Sequence, residues 1–287
     1  MPAFLQYEFM VRALIGAALV GVIAPTLGTF LVLRRLSLIA DTLSHVAFMG
    51  VAIGLALRAA PAAVALGTAA IGAAAIEELR ARRRLPGDVA LAIVLYAALA
   101  IAVVVIGLSN GFGMDIFGFL FGSVLTTRAA DVWMLAGLAA VCLLFVTAFF
   151  TELAQEAFDD DLARVSGVPV RWVNLALAVL TGATITLSMR VVGVLLVGAL
   201  IVVPVQTALR LATGLRATLA IAITTGVVSS VAGTIAAFYV NVAAGGAIVF
   251  TSIGLLLAAE ATSALRRARQ RPAVAEPATR HSHEGPG

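Results

Sequence analysis

Apolar residues do not alternate with polar ones along this chain. They run in blocks of about twenty, broken by short clusters of Arg, Asp, Gly and Pro. About 20 residues of α-helix cross the hydrocarbon layer of a bilayer. Nine such blocks, at about 11–33, 36–57, 60–76, 89–108, 132–150, 172–189, 191–209, 217–239 and 247–265, predict nine transmembrane helices. The segment 112–125 (FGMDIFGFLFGSVL) is as apolar but short, and predicts a re-entrant or half-span element. In lipid each backbone polar group must be satisfied within the protein, so the predicted fold class is all-α: a polytopic membrane helix bundle. Residues 1–265 form this transmembrane domain. The stretch 266–287 contains Arg, Pro and His without periodicity, and is expected to be a disordered cytoplasmic tail.

Composition narrows the function classes. Of 287 residues 62% are apolar and 12% are charged, where soluble domains carry about 25% charge. A soluble enzyme or binding module is thereby excluded. All 19 cationic residues are Arg. Without Lys there is no P-loop, whose lysine reaches the nucleotide phosphates, and no Schiff-base chemistry. If ATP powers this protein, another chain binds it. The single Cys142 excludes an internal disulfide and a multi-cysteine metal site, and reads as a small core residue.

The net charge of +4 is a topology signal rather than a nucleic-acid footprint. With the N-terminus outside and the spans alternating, fifteen of the arginines fall on inner segments. The exceptions are Arg12, Arg58, Arg128 and Arg190. Inner loops of membrane proteins carry this excess, so the C-terminus is expected in the cytoplasm and the protein in the cytoplasmic membrane. The first apolar run exceeds a signal-peptide core and lacks a cleavage site, so it is expected to remain as a span. Small residues four apart (Gly50/Gly54, Gly118/Gly122, Ser229/Gly233) favour close helix approach, and Pro25 and Pro204 mark bends within spans.

With so few ionisable groups in the spans, those present define the candidate chemistry. The second span, LSLIADTLSHVAFMGVAIGLAL, carries Asp41 and His45 four residues apart, hence on one helical face. Ser44 is beside them and Met49 one turn further. A carboxylate and an imidazole can ligate a divalent cation or relay a proton. Two structural roles compete: Asp41 as the N-cap of a helix starting at Thr42, and His45 as a hydrogen-bonded interhelical residue. Asp115 and Asp131 fall on the outer side. Asp131 fits a helix cap, and Asp115 either is solvated or attracts cations to the outer mouth. Glu260 is expected to reach the inner interface. The tail pair His281/His283 offers too few ligands for a metal site.

The longest internal inner segment is 151–171, TELAQEAFDDDLARVSGVPVR. Phe158, Leu162 and Val165 form an amphipathic stripe, while Asp159, Asp160 and Asp161 crowd its start and Arg164 its end, as the helix dipole favours. Gly167 and Pro169 stop it. A short amphipathic helix at about 156–168 is predicted. Three adjacent acids disfavour an anionic lipid surface and favour a protein partner.

Six blocks in this order resemble the permease subunit of the ABC importers for zinc, manganese and iron. They are VLRRLSLIADTLSHVAFMG (Val32–Gly50), PGDVALAIVLY (Pro86–Tyr96), the Asp115–Gly122 stretch, FDDDLARVSGVP (Phe158–Pro169), MRVVGVLLVGALIVVP (Met189–Pro204) and GGAIVF (Gly245–Phe250). Met49 stands where that family usually has Pro, and an acidic residue usual before GGAIVF is absent. The resemblance implies a type II ABC importer-like fold and a homodimer. It also implies two ATPase subunits on the cytoplasmic face that bind the ATP, and an extracytoplasmic metal-binding protein as donor. The permease itself is then no enzyme. Asp41 and His45 become the metal-passage residues, with Ser44, Met49 and Asp115 as weaker candidates, and Phe158–Gly167 the element that seats in the ATPase. The expected cargo is Zn²⁺, with Mn²⁺ or Fe²⁺ as alternatives. A proton-coupled metal transporter is the competing class, although few other intramembrane acids are present to relay protons. An intramembrane metalloenzyme would need more ligands; no H-E-x-x-H occurs. The stripe argues for a bare ion over vitamin B12 or an iron–siderophore.

Overall fold

The computed structural model describes residues 6–81, 87–109, 114–122 and 127–270, and these contain helices and no strand. In chain order the helices are α1 (Glu8–Leu33), α2 (Ser37–Ala56), α3 (Pro61–Ala81), α4 (Gly87–Leu108), α5 (Met114–Phe121) and α6 (Ala129–Ala148). There follow α7 (Phe150–Phe158), α8 (Asp160–Val165), α9 (Val170–Ser188), α10 (Val194–Leu211), α11 (Leu215–Val240) and α12 (Ala244–Gln270). Each of the nine predicted spans has a helix. Eight of these are long and apolar enough to cross a membrane, and α10 is an apolar helix of 18 residues. The eight residues of α5 extend about 12 Å, so α5 alone cannot cross, as the short apolar segment 112–125 foretold.

Three boundaries differ from the sequence expectation. The span expected from 191 begins at Val194, because Gly193 turns the chain at φ 94°. A single inner helix at 156–168 is in fact two: the backbone extends at Asp159 (φ −155°, ψ 106°) and separates α7 from α8. Helix α12 runs to Gln270, across the 266 boundary at which the tail was expected to start. Residues 271–287, with His281 and His283, lie outside the described residues.

Helix α1 is the axis of the bundle and packs on α11, α10, α6 and α9. Its crossing with α11 brings backbone to backbone: a Cβ on Gly21 would stand 2.7 Å from the Gly226 carbonyl oxygen. Helix α2 lies against α3, α4, α9 and α10. Gly50 and Gly54 let α3 approach, and a Cβ on Gly50 would fall 2.5 Å from Ala65 Cα. Ser229 is buried and Gly233 meets Ile248 of α12, whereas Gly118 faces open space. Small residues therefore set the α2–α3 and α11–α12 spacings, as close packing in lipid requires. Helices α4 and α12 are peripheral and expose Tyr96, Val104, Leu108, Phe250 and Leu257, an apolar exterior suited to lipid.

The end of α5 and the starts of α10 and α12 meet at one point. Gly122 (φ 72°) and Gly193 (φ 94°) both need the left-handed region. A Cβ on Gly193 would lie 2.4 Å from the Leu120 carbonyl oxygen, and one on Gly245 would lie 1.9 Å from that of Val192. Three of the quoted sequence blocks thus converge through their glycines.

Candidate functional site

The α1–α2 turn positions the candidate ligands. Arg35 adopts φ 59°. Its N–H donates to Val32 O (3.0 Å) and that of Leu36 to Leu31 O (2.8 Å), the paired bonds of a Schellman C-cap. Helix α2 restarts at Ser37, so Asp41 lies a full turn inside it. The N-cap role weighed for Asp41 is therefore removed.

Most of α2 is buried, but one stripe is not covered by the chain's own helices. Leu38 is exposed, the Asp41 side chain is 53% exposed, and His45 and Met49 are half-buried. These positions recur at three- and four-residue steps along one face. Helix α10 passes close to this stripe: a Cβ on Gly198 would come within 3.8 Å of Asp41 N. His45 Nε2 stands 3.9 Å from Asp41 Oδ1, beyond hydrogen-bond length. His45 Nδ1 is buried with no protein partner, so the structure does not give the histidine the interhelical hydrogen bond considered above. Both side chains keep unused donor capacity. Among the described residues no third His, Cys, Asp or Glu joins them. Ser44 is fully buried and its hydroxyl donates to Ala40 O (2.9 Å), so it does not join the pair. Met49 packs against the core. Asp115 belongs to α5, but its side chain lies outside the described residues.

The inner element has a different character. Asp159 caps α8 by accepting the Leu162 N–H (3.0 Å). Phe158, Leu162 and Val165 are 77%, 61% and 87% exposed, while Ala163 is buried beneath them. Large apolar side chains thus stand exposed across the α7–α8 junction, outside the spans. The side chains of Asp160 and Asp161 lie outside the described residues. Gly167 turns the chain at φ 85° into α9.

Sequence reasoning missed one ionic cluster. Arg34, read only as a topology charge, forms an ion pair with Glu156 of α7: Nη2 to Oε1 is 2.8 Å, with the side chains 8% and 0% exposed. The same guanidinium donates to Asn174 Oδ1 of α9. The available signal was Glu156 three residues from Leu153, an acid on the buried face of an amphipathic helix.

Of the other acids, Asp131 accepts the Arg128 N–H (2.9 Å) at the start of α6, the capping role expected of it. It also lies 3.6 Å from Arg190, which sits over the Phe119 ring at 5.9 Å. Glu260 pairs with Arg210 at 3.0 Å.

A bundle of long apolar helices with an acid–imidazole stripe on an uncovered face, and an apolar element projecting between two spans, is the architecture of a polytopic membrane protein. The chain belongs to the ABC 3 transport family, whose model matches residues 6–263. It is similar to the "Manganese transport system membrane protein MntC" of Halalkalibacterium halodurans, with 33% identity over 86% of this chain and 85% of that one. It is also similar to the "High-affinity zinc uptake system membrane protein ZnuB" of Haemophilus influenzae, with 30% identity over 88% and 97%. Among solved structures it resembles PsaBC from Streptococcus pneumoniae in complex with Fab. The TM-score is 0.79, with 31% identity over 89% of this chain and 92% of that one.

Proposed function

We propose that this chain is the permease of an ATP-driven importer that moves a bare divalent transition-metal ion into the cytoplasm. The observation that carries this reading is the uncovered stripe of α2. There an acid and an imidazole lie one turn apart, too far from each other to satisfy their own bonding, with His45 Nδ1 unpartnered. Such a pair can bind an ion and still release it, because two protein donors leave most of the coordination shell to others. A second copy of the chain across this stripe would double the donors, and the homodimer is the assembly we assign.

Zinc is the first candidate cargo, since neutral imidazole suits it. Manganese is the second, favoured by the carboxylate and by the manganese-named relative. An extracytoplasmic metal-binding protein delivers the ion to the outer face. ATP is hydrolysed on separate ATPase chains, in keeping with the lack of lysine, and these seat on Phe158, Leu162 and Val165. The N-terminus lies outside and the C-terminus inside in this reading, which the arginine distribution supports. Nucleotide-driven closure moves α8, and the pathway alternates between outward and inward access.

The test is uptake of radiolabelled zinc against manganese in cells carrying Asp41→Asn at wild-type protein level. Loss of one metal's uptake is expected, and undiminished uptake of both would sink the assigned site. For the partner, Leu162→Asp should abolish co-purification of the ATPase; retained binding counts against the docking role.

A further inference from the structure

Helix α8 is held between two legs, α7 before it and α9 after it. Glu156 lies on the first leg and Asn174 on the second, eighteen residues apart in the chain. One side chain closes both. Arg34 comes from the α1–α2 turn, which neither leg includes, and its guanidinium contacts Glu156 and Asn174 together. The planar fork of arginine suits such a bridge, since its separate N–H groups can serve acceptors on different elements at fixed angles.

The anchorage of α7 makes this contact mechanically important. Its first residue, Phe150, meets the Phe30 ring edge-on at 6.2 Å and lies beneath Arg216 of α11 at 5.7 Å. Leu153 and Glu156 are its buried residues, and Glu156 is the one nearest α8. Any displacement of α8 that moves α7 must therefore move Arg34 or break the ion pair. Arg34 is not free to yield alone. It is the C-cap of α1, fastened by the backbone bonds of the turn, and α2 begins three residues later with Asp41 one turn inside it.

Burying two charges costs more than burying two apolar side chains of the same size, and stability alone gives no reason for the pair. We infer that Arg34, Glu156 and Asn174 are positioning residues that form the joint between α8 and the Asp41/His45 stripe. This rests on the transport function proposed above and names the route by which the ATPase acts on that site.

The test uses the permease assembled with its ATPase in lipid vesicles loaded with a metal-sensitive dye, with the metal-loaded binding protein supplied on the outer face. ATP hydrolysis, entry of zinc or manganese, and thermal unfolding are read together. In Glu156→Gln, ATP hydrolysis should stay within about two-fold of wild type. Metal entered per ATP should fall by at least about ten-fold, the scale of a coupling free energy between sites. Glu156→Asp, which keeps the charge, should recover part of it. The double variant Arg34→Met/Glu156→Leu separates a joint from a mere structural pair. Removing both charges should restore unfolding temperature to wild type or above, while metal per ATP stays low. Wild-type coupling in the double variant would overturn the inference, as would failure of both variants to accumulate, which would make the pair a folding requirement. If the wild-type complex moves neither zinc nor manganese, the transport reading has failed instead, and that control separates the two.

Discussion

Two acid–base pairs in this bundle are built on opposite plans. Arg34 and Glu156 are buried, 2.8 Å apart, and joined by a third partner. Asp41 and His45 are 3.9 Å apart, half open, and leave a ring nitrogen unused. The first pair is closed within the chain, charge against charge and shielded from solvent, so it resists change. The second is separated and reaches solvent through Asp41, as the binding role proposed for it requires. Both flank the same turn, within eleven residues of sequence on the Arg34 side. The contrast is one of closure: a buried, contacting ion pair suits fixing geometry, and an open, separated pair suits the binding role proposed for it.

Three substitutions test this contrast. Glu156→Gln should have the largest effect on stability, because it leaves a buried guanidinium without its counter-charge. A loss of about 3–5 kcal/mol is expected, read from thermal unfolding of the purified protein. A wild-type melt would place the pair among the replaceable ones. His45→Ala should reverse the profile, with a melt near wild type and metal uptake lowered by at least about 10–100-fold, the range for losing even a group that supports a metal ligand. A large drop in unfolding temperature with uptake intact would make His45 a structural residue and erase the contrast. The smallest effect belongs to Arg210→Gln. Its bond to Glu260 is half-exposed on both sides, and pairs of that kind are worth roughly 0–1 kcal/mol before screening. Equilibrium unfolding with a larger change would show that the α10–α12 contact does more than exposure implies.

The spans were legible because lipid writes its thickness into the sequence. Blocks of about twenty apolar residues are a strong local signal, and all nine became helices. The Asp41/His45 face was legible for the same reason: a four-residue spacing is a statement about one helix. What failed to show was non-local or depended on one backbone angle. Arg34 and Glu156 are 122 residues apart, and nothing in a single sequence marks them as neighbours. The run Asp159–Asp161 reads as one acidic helix start, yet only the extended backbone at Asp159 decides that α7 ends and α8 begins there. The glycines of 122, 193 and 245 were visible as residues, but their meeting is a product of tertiary packing.

The depth of Asp41 in α2 has an electrical consequence. Four residues from Ser37 is about 6 Å of helix, and His45 is about 12 Å in. In the proposed orientation, with the α1–α2 turn on the cytoplasmic side, an ion arriving from outside would have passed roughly two thirds of a ~30 Å hydrocarbon layer. A membrane potential of about 100 mV, negative inside, does about 2.3 kcal/mol of work per elementary charge over the full thickness. By depth alone, a divalent ion on this stripe has already gained roughly 3 kcal/mol from the field. Escape backwards is opposed by that amount and passage forwards is not. In the orientation and role proposed for this stripe, the resting voltage of the cell would act as a rectifier on the site, and a weak two-donor grip would be enough to hold cargo in one direction.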